Sequence, residues 1–292
     1  MEGIISIQNL PNVLYVELAE KDQLKLWQKL QGSSIKVLAE KIKISVRNLY
    51  KYKEGNSGYP IQVLRELVKL ADFEPKKVTL KTRRASEPIK DCRLPIKFDE
   101  HFAEFLGYLM GDGGIDSQFR VHFTTDRLED INKFKKLVKR IFGSIRVQFK
   151  DYKTRYTIYY PKTLGLLLTK TVGLTKGSKV DSDLAIPSGL LPKFDVSSKI
   201  KFIRAFYESD GFTDEIGIGQ AGKDLENPPT ILVQIKEFLQ SLGFNSVYIR
   251  RSTNYETPKT KKLRSRWVLK IGSKEEKDRF ISIIAPKKLK SR

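Results

Sequence analysis

Two stretches of this chain, FLGYLMGDG at residues 105–113 and IRAFYESDG at residues 203–211, decide how the rest is read. Each is an apolar run of helical spacing that breaks at Asp-Gly. Gly107 and Gly111 lie four residues apart, as do Ala205 and Ser209, so each helix carries a strip of small residues along one side. Such strips let two helix backbones approach closely. If the two helices pack on one another, Asp112 and Asp210 emerge side by side at their C-terminal ends. That position is electrostatically unfavourable twice over: each carboxylate faces the negative end of a helix dipole, and the two repel each other. A bound divalent cation reverses the sign, because hard metal ions are held by carboxylate oxygens.

Outward from these stretches the chain reads as two copies of one unit. Each copy has a helix, two strands, a helix ending at glycine (Gly143, Gly243), further strands and a final apolar helix. The copies are expected at residues 98–180 and 181–292, with Pro187 and Pro192 in the connection between them. Strand faces separate cleanly. Phe119, Val121 and Phe123 oppose Arg120, His122 and Thr124; Ile145, Val147 and Phe149 oppose Arg146, Gln148 and Lys150; Trp267, Leu269 and Ile271 oppose Arg264, Arg266 and Lys270. A sheet face this rich in long cationic donors suits phosphates and base edges. Arg120, His122, Arg146, Gln148, Lys150, Arg250, Arg264 and Arg266 are the expected contacts to DNA.

Ahead of the copies, residues 75–97 read as a linker, interrupted by Pro75, Pro88 and Pro95 and carrying the charge run Lys81–Arg84. Residues 1–74 read as a small all-α domain. Its second and third helices, the second capped by Ser33 or Ser34 and the third by Ser45, resemble a helix-turn-helix, with Arg47, Asn48 and Lys51 on the second of the pair. The turn Ile42-Lys43-Ile44 has no glycine.

The chain has 292 residues and a net charge of +21, which points to a polyanionic partner. A single cysteine, Cys92, excludes a disulfide scaffold, and two histidines exclude a multi-histidine metal centre. The opening Met1-Glu2-Gly3 has no signal-peptide character, and no stretch reaches membrane-spanning length. An intracellular, cytoplasmic protein of a prokaryote is expected. Gly217-Ile-Gly-Gln-Ala-Gly222 satisfies GxGxxG, but Pro228 and Pro229 precede the next helix, so it is rejected as a dinucleotide site. The tail from Lys287 to Arg292 reads as a disordered charge run, at best adding non-specific DNA affinity.

The paired stretches resemble the signature helices of the LAGLIDADG homing endonuclease family in its monomeric, two-motif form. Leu94-Pro95-Ile96 before the first motif, and Gly173–Lys179 followed by Ile186-Pro187 before the second, extend the resemblance to about residues 92–285. It implies an α+β fold of two pseudosymmetric αββαββα repeats forming a DNA-binding saddle, and metal-dependent cleavage of both strands of a long duplex site. It also implies that Asp112 and Asp210 bind Mg²⁺, or Mn²⁺, with Gly111 and Ser209 beside them at the metal. Lys270 is the expected basic residue near the scissile phosphate, Tyr159 standing in its place in the first copy, and Gln220 a candidate to orient water. A non-catalytic DNA-binding regulator and a maturase acting on intron RNA are the alternatives on the same scaffold.

Overall fold

The computed structural model describes residues 4–83, 86–257 and 261–290. Arg84 of the expected charge run, the opening Met1–Gly3 and the last two residues, Ser291 and Arg292, lie outside them.

The N-terminal part is β1 (Ile4–Ile5), β2 (Leu14–Leu18), α1 (Glu20–Lys29), α2 (Ile35–Lys41), α3 (Val46–Lys53), β3 (Tyr59–Pro60) and α4 (Ile61–Leu70). The helices start where expected: Ser34 Oγ accepts from Val37 N–H at 3.3 Å and Ser45 Oγ from Asn48 N–H at 3.2 Å. Lys43, in the turn between α2 and α3, takes the left-handed backbone that glycine commonly supplies, with φ +55°. Leu49 of α3 is buried, while Arg47, Asn48 and Lys51 are exposed.

This part is not all-α, and the expected linker is folded. It forms β4 (Lys77–Thr82), β5 (Ile89–Arg93) and β6 (Ile96–Lys97). β2 sits between β3 and β4, and β4 between β2 and β5, in a five-stranded sheet. The reason is legible in the pattern: Val78 and Leu80 alternate inward with polar neighbours, and Ile89 and Cys92 are buried opposite them. Pro75, Pro88 and Pro95 fall just outside the strands, where their missing N–H breaks no ladder.

The first repeat follows as α5 (Glu100–Met110), β7 (Gly113–Ile115), β8 (Val121–Thr125), α6 (Leu128–Phe142), β9 (Ser144–Ile145), β10 (Gln148–Asp151), β11 (Tyr156–Tyr160) and α7 (Lys162–Leu167). β9 joins the N-terminal sheet through Ile89 and Ile145, and the other strands form an antiparallel sheet in the order β10-β11-β8-β7. One face of that sheet packs on helices: Phe123 stacks on Phe134 of α6 at 4.4 Å, and Phe134 also meets Phe105 of α5.

The second repeat is α8 (Val196–Asp210), β12 (Gly217–Gly222), α9 (Thr230–Ser241), β13 (Val247–Glu256), β14 (Leu263–Ile271) and α10 (Lys274–Ile283), ending in α11 (Lys287–Lys290). Its sheet has three strands, β12-β14-β13, where four were expected. The chain turns back after one residue, leaving only the bridge Gly211–Ile218 where the first repeat has β7.

α5 and α8 pack against each other at the centre. A Cβ at Gly107 would lie 2.5 Å from the Phe202 carbonyl oxygen and 2.7 Å from Ala205 Cβ; one at Gly111 would lie 2.3 Å from Ser209 Cβ. The small-residue strips are therefore a requirement of contact. Two central helices in close contact, each with an aspartate at or just beyond its end and each followed by antiparallel strands and a covering helix, make this an α+β fold of two like repeats.

Candidate active site

The close crossing of α5 and α8 brings Asp112 and Asp210 together. Burial, then the charge of Asp210, pushes the Asp112 carboxyl up to about 6, against the opposing pull of Lys179, Lys288 and a hydrogen bond from Ser209. Burial raises Asp210 as well, opposed by Lys179, Gln220 and Lys288. Gln220 Nε2 donates to Asp210 Oδ2 at 2.7 Å. Gln220 pairs with Trp267 across the sheet, so it lies on the helix-facing side, where Asp210 is.

The cations that act on this pair are two lysines that sequence reasoning did not single out. Lys179 Nζ donates to the Met110 carbonyl at 2.7 Å and also to that of Gly111. Lys288 Nζ donates to the Ser209 carbonyl at 3.1 Å. The two arrangements correspond. Each lysine lies beyond the helix that follows its own repeat's last strand (α7 or α10) and returns to the carbonyl of the residue preceding that repeat's aspartate. Both sit at helix C-termini, where a cation satisfies orphan carbonyls and opposes the dipole. Burial pulls Lys179 down to about 8, and the two aspartates pull it back up. No local signal in the sequence singles these two out from the chain's other lysines.

The tail is thus helical through Lys290 and folded onto the site. Glu208 anchors it, accepting from the Lys287 backbone N–H and from Arg127 at 3.2 Å; Arg127 also pairs with Asp130 at 2.6 Å. A cavity of about 490 Å³ opens beside Asp112, lined by Thr124, Thr125, Arg127, Arg155, Glu208 and Lys288 among others.

Several expected site residues stand elsewhere. Lys270 lies on the sheet face away from the helices but its ammonium pairs with Glu215 at 2.6 Å. Arg264 is buried, with its guanidinium on Asp181. Arg120 pairs with Asp116 at 2.8 Å and Arg146 with Glu87 at 3.3 Å, and both guanidinium groups remain accessible. Gln148 and Lys150 are exposed on β10, Lys150 Nζ lying 5.5 Å from the Tyr159 ring. His122 faces the same way beside Tyr159, its pKa lowered by burial and by Lys179. Arg250 and Arg266 are exposed and line a second cavity of about 680 Å³ with Phe212, Lys270 and Lys288. Gly217–Gly222 is strand β12, consistent with rejecting it as a phosphate loop.

Among the described residues no cluster of three or more His, Cys, Asp or Glu could hold a metal ion. The donor set is the pair Asp112 and Asp210, hard oxygens whose raised pKa values a divalent cation would relieve, so the residues fit such an ion. The carbonyls of Gly111 and Ser209, beside this pair, each accept a hydrogen bond from a lysine. No described helix is long and apolar enough to cross a membrane.

No family profile matches the chain, and no curated protein matches its sequence. Among solved structures it is similar to I-DmoI in complex with DNA and Mn, at 19% identity over 66% of this chain and 98% of that one, with a TM-score of 0.42. It is also similar to full-length DUF199/WhiA from Thermatoga maritima, at 18% identity over 65% of this chain and 57% of that one, TM-score 0.38. A third is the N-terminal LAGLIDADG domain of DUF199/WhiA, at 17% identity over 63% and 82%, TM-score 0.37.

Proposed function

We propose that this chain is a sequence-specific, divalent-metal-dependent DNA endonuclease that acts as a monomer on both strands of a long duplex site. The observation that carries the reading is the meeting of two part-buried carboxylates, each beside a lysine from its own repeat. Paired like charges at helix C-termini are costly for a fold and useful to a phosphodiesterase.

In this reading Asp112 and Asp210 hold Mg²⁺ or Mn²⁺. When bound, the metal activates water and stabilises the leaving 3′ oxygen. Gln220 fixes the Asp210 carboxylate by donating to Oδ2, and can orient water with its remaining donor and acceptor. Lys179 and Lys288 keep fixed positive charge beside the carboxylates, where charge develops on the phosphate. Gln148 and Lys150 in one repeat, with Arg250 and Arg266 in the other, supply exposed donors for phosphates and base edges. Arg47, Asn48 and Lys51 on α3 add contacts outside the saddle, as a helix-turn-helix module does.

The test is cleavage of a randomised duplex library with Mg²⁺, with EDTA, and with the double variant Asp112→Asn/Asp210→Asn. Metal-dependent cuts at a recurrent site, lost in the variant, support the reading. Selective retention of some duplexes without cuts overturns it in favour of a non-catalytic regulator.

A further inference from the structure

The lysine that caps α5 comes from a stretch, residues 173–190, that forms no helix or strand. With no regular ladder to hold it, such a stretch takes its position from side-chain and isolated backbone contacts. Lys179 lies in a single turn at residues 178–182, where Ser182 N–H donates to the Ser178 carbonyl at 3.0 Å and Asp181 N–H to Ser178 Oγ at 3.3 Å. Two charged side chains leave this turn for different repeats. Lys179 Nζ reaches the Met110 and Gly111 carbonyls, beside the first repeat's aspartate. Asp181 accepts from the guanidinium of Arg264 on β14 of the second repeat, with Lys262 Nζ at 3.6 Å.

The position of Arg264 explains why it is turned to this use. β12 ends at Gly222, opposite Ser265, so Arg264 lies just past the end of that neighbouring strand. Its side chain is 10% exposed, although it shares the sheet face of Arg266 and Lys270. A guanidinium holds a carboxylate in a fixed direction, which a rotating ammonium does not. The second repeat grips the same stretch at two further points: Lys223 Nζ donates to the Asp181 carbonyl at 3.3 Å, and Thr230 N–H to Asp183 at 3.1 Å. The opposite lysine is tied across the repeats in the same sense. Arg127 of the first repeat pairs at 3.2 Å with Glu208, which accepts from the backbone N–H of Lys287, next to Lys288.

We infer that Arg264 is a positioning residue for Lys179: by holding Asp181 it fixes, from the second repeat, the cation at the first repeat's aspartate. It acts through this pair rather than by touching DNA. The effect on cleavage rests on the nuclease reading above, whereas the placement of Lys179 does not.

The experiment follows the full chain with ¹⁵N-labelled lysine. A hydrogen-bonded ammonium gives a distinct, slowly exchanging signal, assigned to Lys179 by its absence in Lys179→Met. Arg264→Met and Asp181→Asn should each shift or remove that signal, and the double variant no further than either single, as for two residues acting as one pair. The Lys133 ammonium, paired with Glu104 at 2.7 Å, is the internal reference and should stay in place. Asp181 is exposed, so Asp181→Asn carries the test where Arg264→Met compromises folding. In single-turnover cleavage, Arg264→Met should slow one strand about tenfold, as loss of a supporting contact does, and add nothing in the Lys179→Met background. An unmoved Lys179 signal in both variants overturns the inference, as does loss of the Lys179 and Lys133 signals together. A slowing that persists undiminished in the Lys179→Met background overturns it equally. A shifted Lys179 signal in a chain that cuts no DNA upholds the placement and removes only the nuclease reading.

Discussion

The two repeats reach the same arrangement of charge by different means. In the first, Lys179 comes from an irregular segment beyond α7 and caps α5 through two carbonyls; in the second, Lys288 comes from a short tail helix and caps α8 through one. The bridge Gly211–Ile218 corresponds to the pair Gly113–Phe123, which sets Thr125 in the place that Gln220 holds in the second repeat. Thr125 is buried beside the Asp112 cavity but offers a shorter side chain than a glutamine hydrogen-bonded to its aspartate. What is kept is charge at a helix end; what varies is the scaffold that delivers it. The two lysines correspond in position at the site while lying in segments with no sequence likeness.

The correspondence can be broken most severely at the carboxylates. Either Asp112→Asn or Asp210→Asn should lower the cleavage rate by about 10³-fold in single-turnover assays, in the range of losing a main electrostatic group. Duplex affinity by gel shift should be nearly unchanged; loss of binding in step with cleavage would make the residue structural. The lysines sharpen the comparison next. Lys179→Met and Lys288→Met should each slow cleavage roughly 10²-fold, and each should let nicks accumulate in a different strand. Equal slowing of both strands in both variants would refute one lysine per half-site.

The helix packing that joins the halves comes third. Gly107→Ala places a methyl against the Phe202 backbone, which cannot yield, and should cost about 1–3 kcal/mol in denaturant unfolding. A neutral result would mean the helices can separate without loss.

The cost of the site itself is of similar or smaller size. Asp112 titrates at about 6 in the fold against 3.8 as its ordinary value, so the folded chain holds the proton more tightly. Stability is therefore greatest below the ordinary value and falls as pH rises through about 6. Asp112→Asn should raise stability at pH 8 by on the order of 1–3 kcal/mol and flatten that profile. An unchanged profile would contradict the strained pair. Smallest, Arg250→Ala/Arg266→Ala should reduce the slope of log affinity against log salt by about 0.9 for each phosphate no longer neutralised. An unaltered slope would remove these two arginines from the DNA surface.

Much of this was legible beforehand. The small-residue strips, the paired aspartates, the amphipathic strands and the serine caps are local or periodic signals, and local chemistry enforces each of them. Gly107 opposite Ala205 could be read because one strip implies the other. The strands at 77–93 were misread because prolines mark strand ends as readily as linkers, and only pairing with β2 and β9 tells the two apart. Lys270 and Arg264 have the right residue type on the right strand, yet Glu215 and Asp181, distant in sequence, neutralise them.

What the amino-acid order by itself determined is the pair of helices and the carboxylates at their ends, because spacing of three and four residues is intrinsic to a helix. What only the tertiary structure decided is which cations face those carboxylates. Lys179 and Lys288 follow their aspartates by 67 and 78 residues, and nothing local along so long a loop specifies where it closes. The packing of two whole repeats brings their ammonium groups to the site.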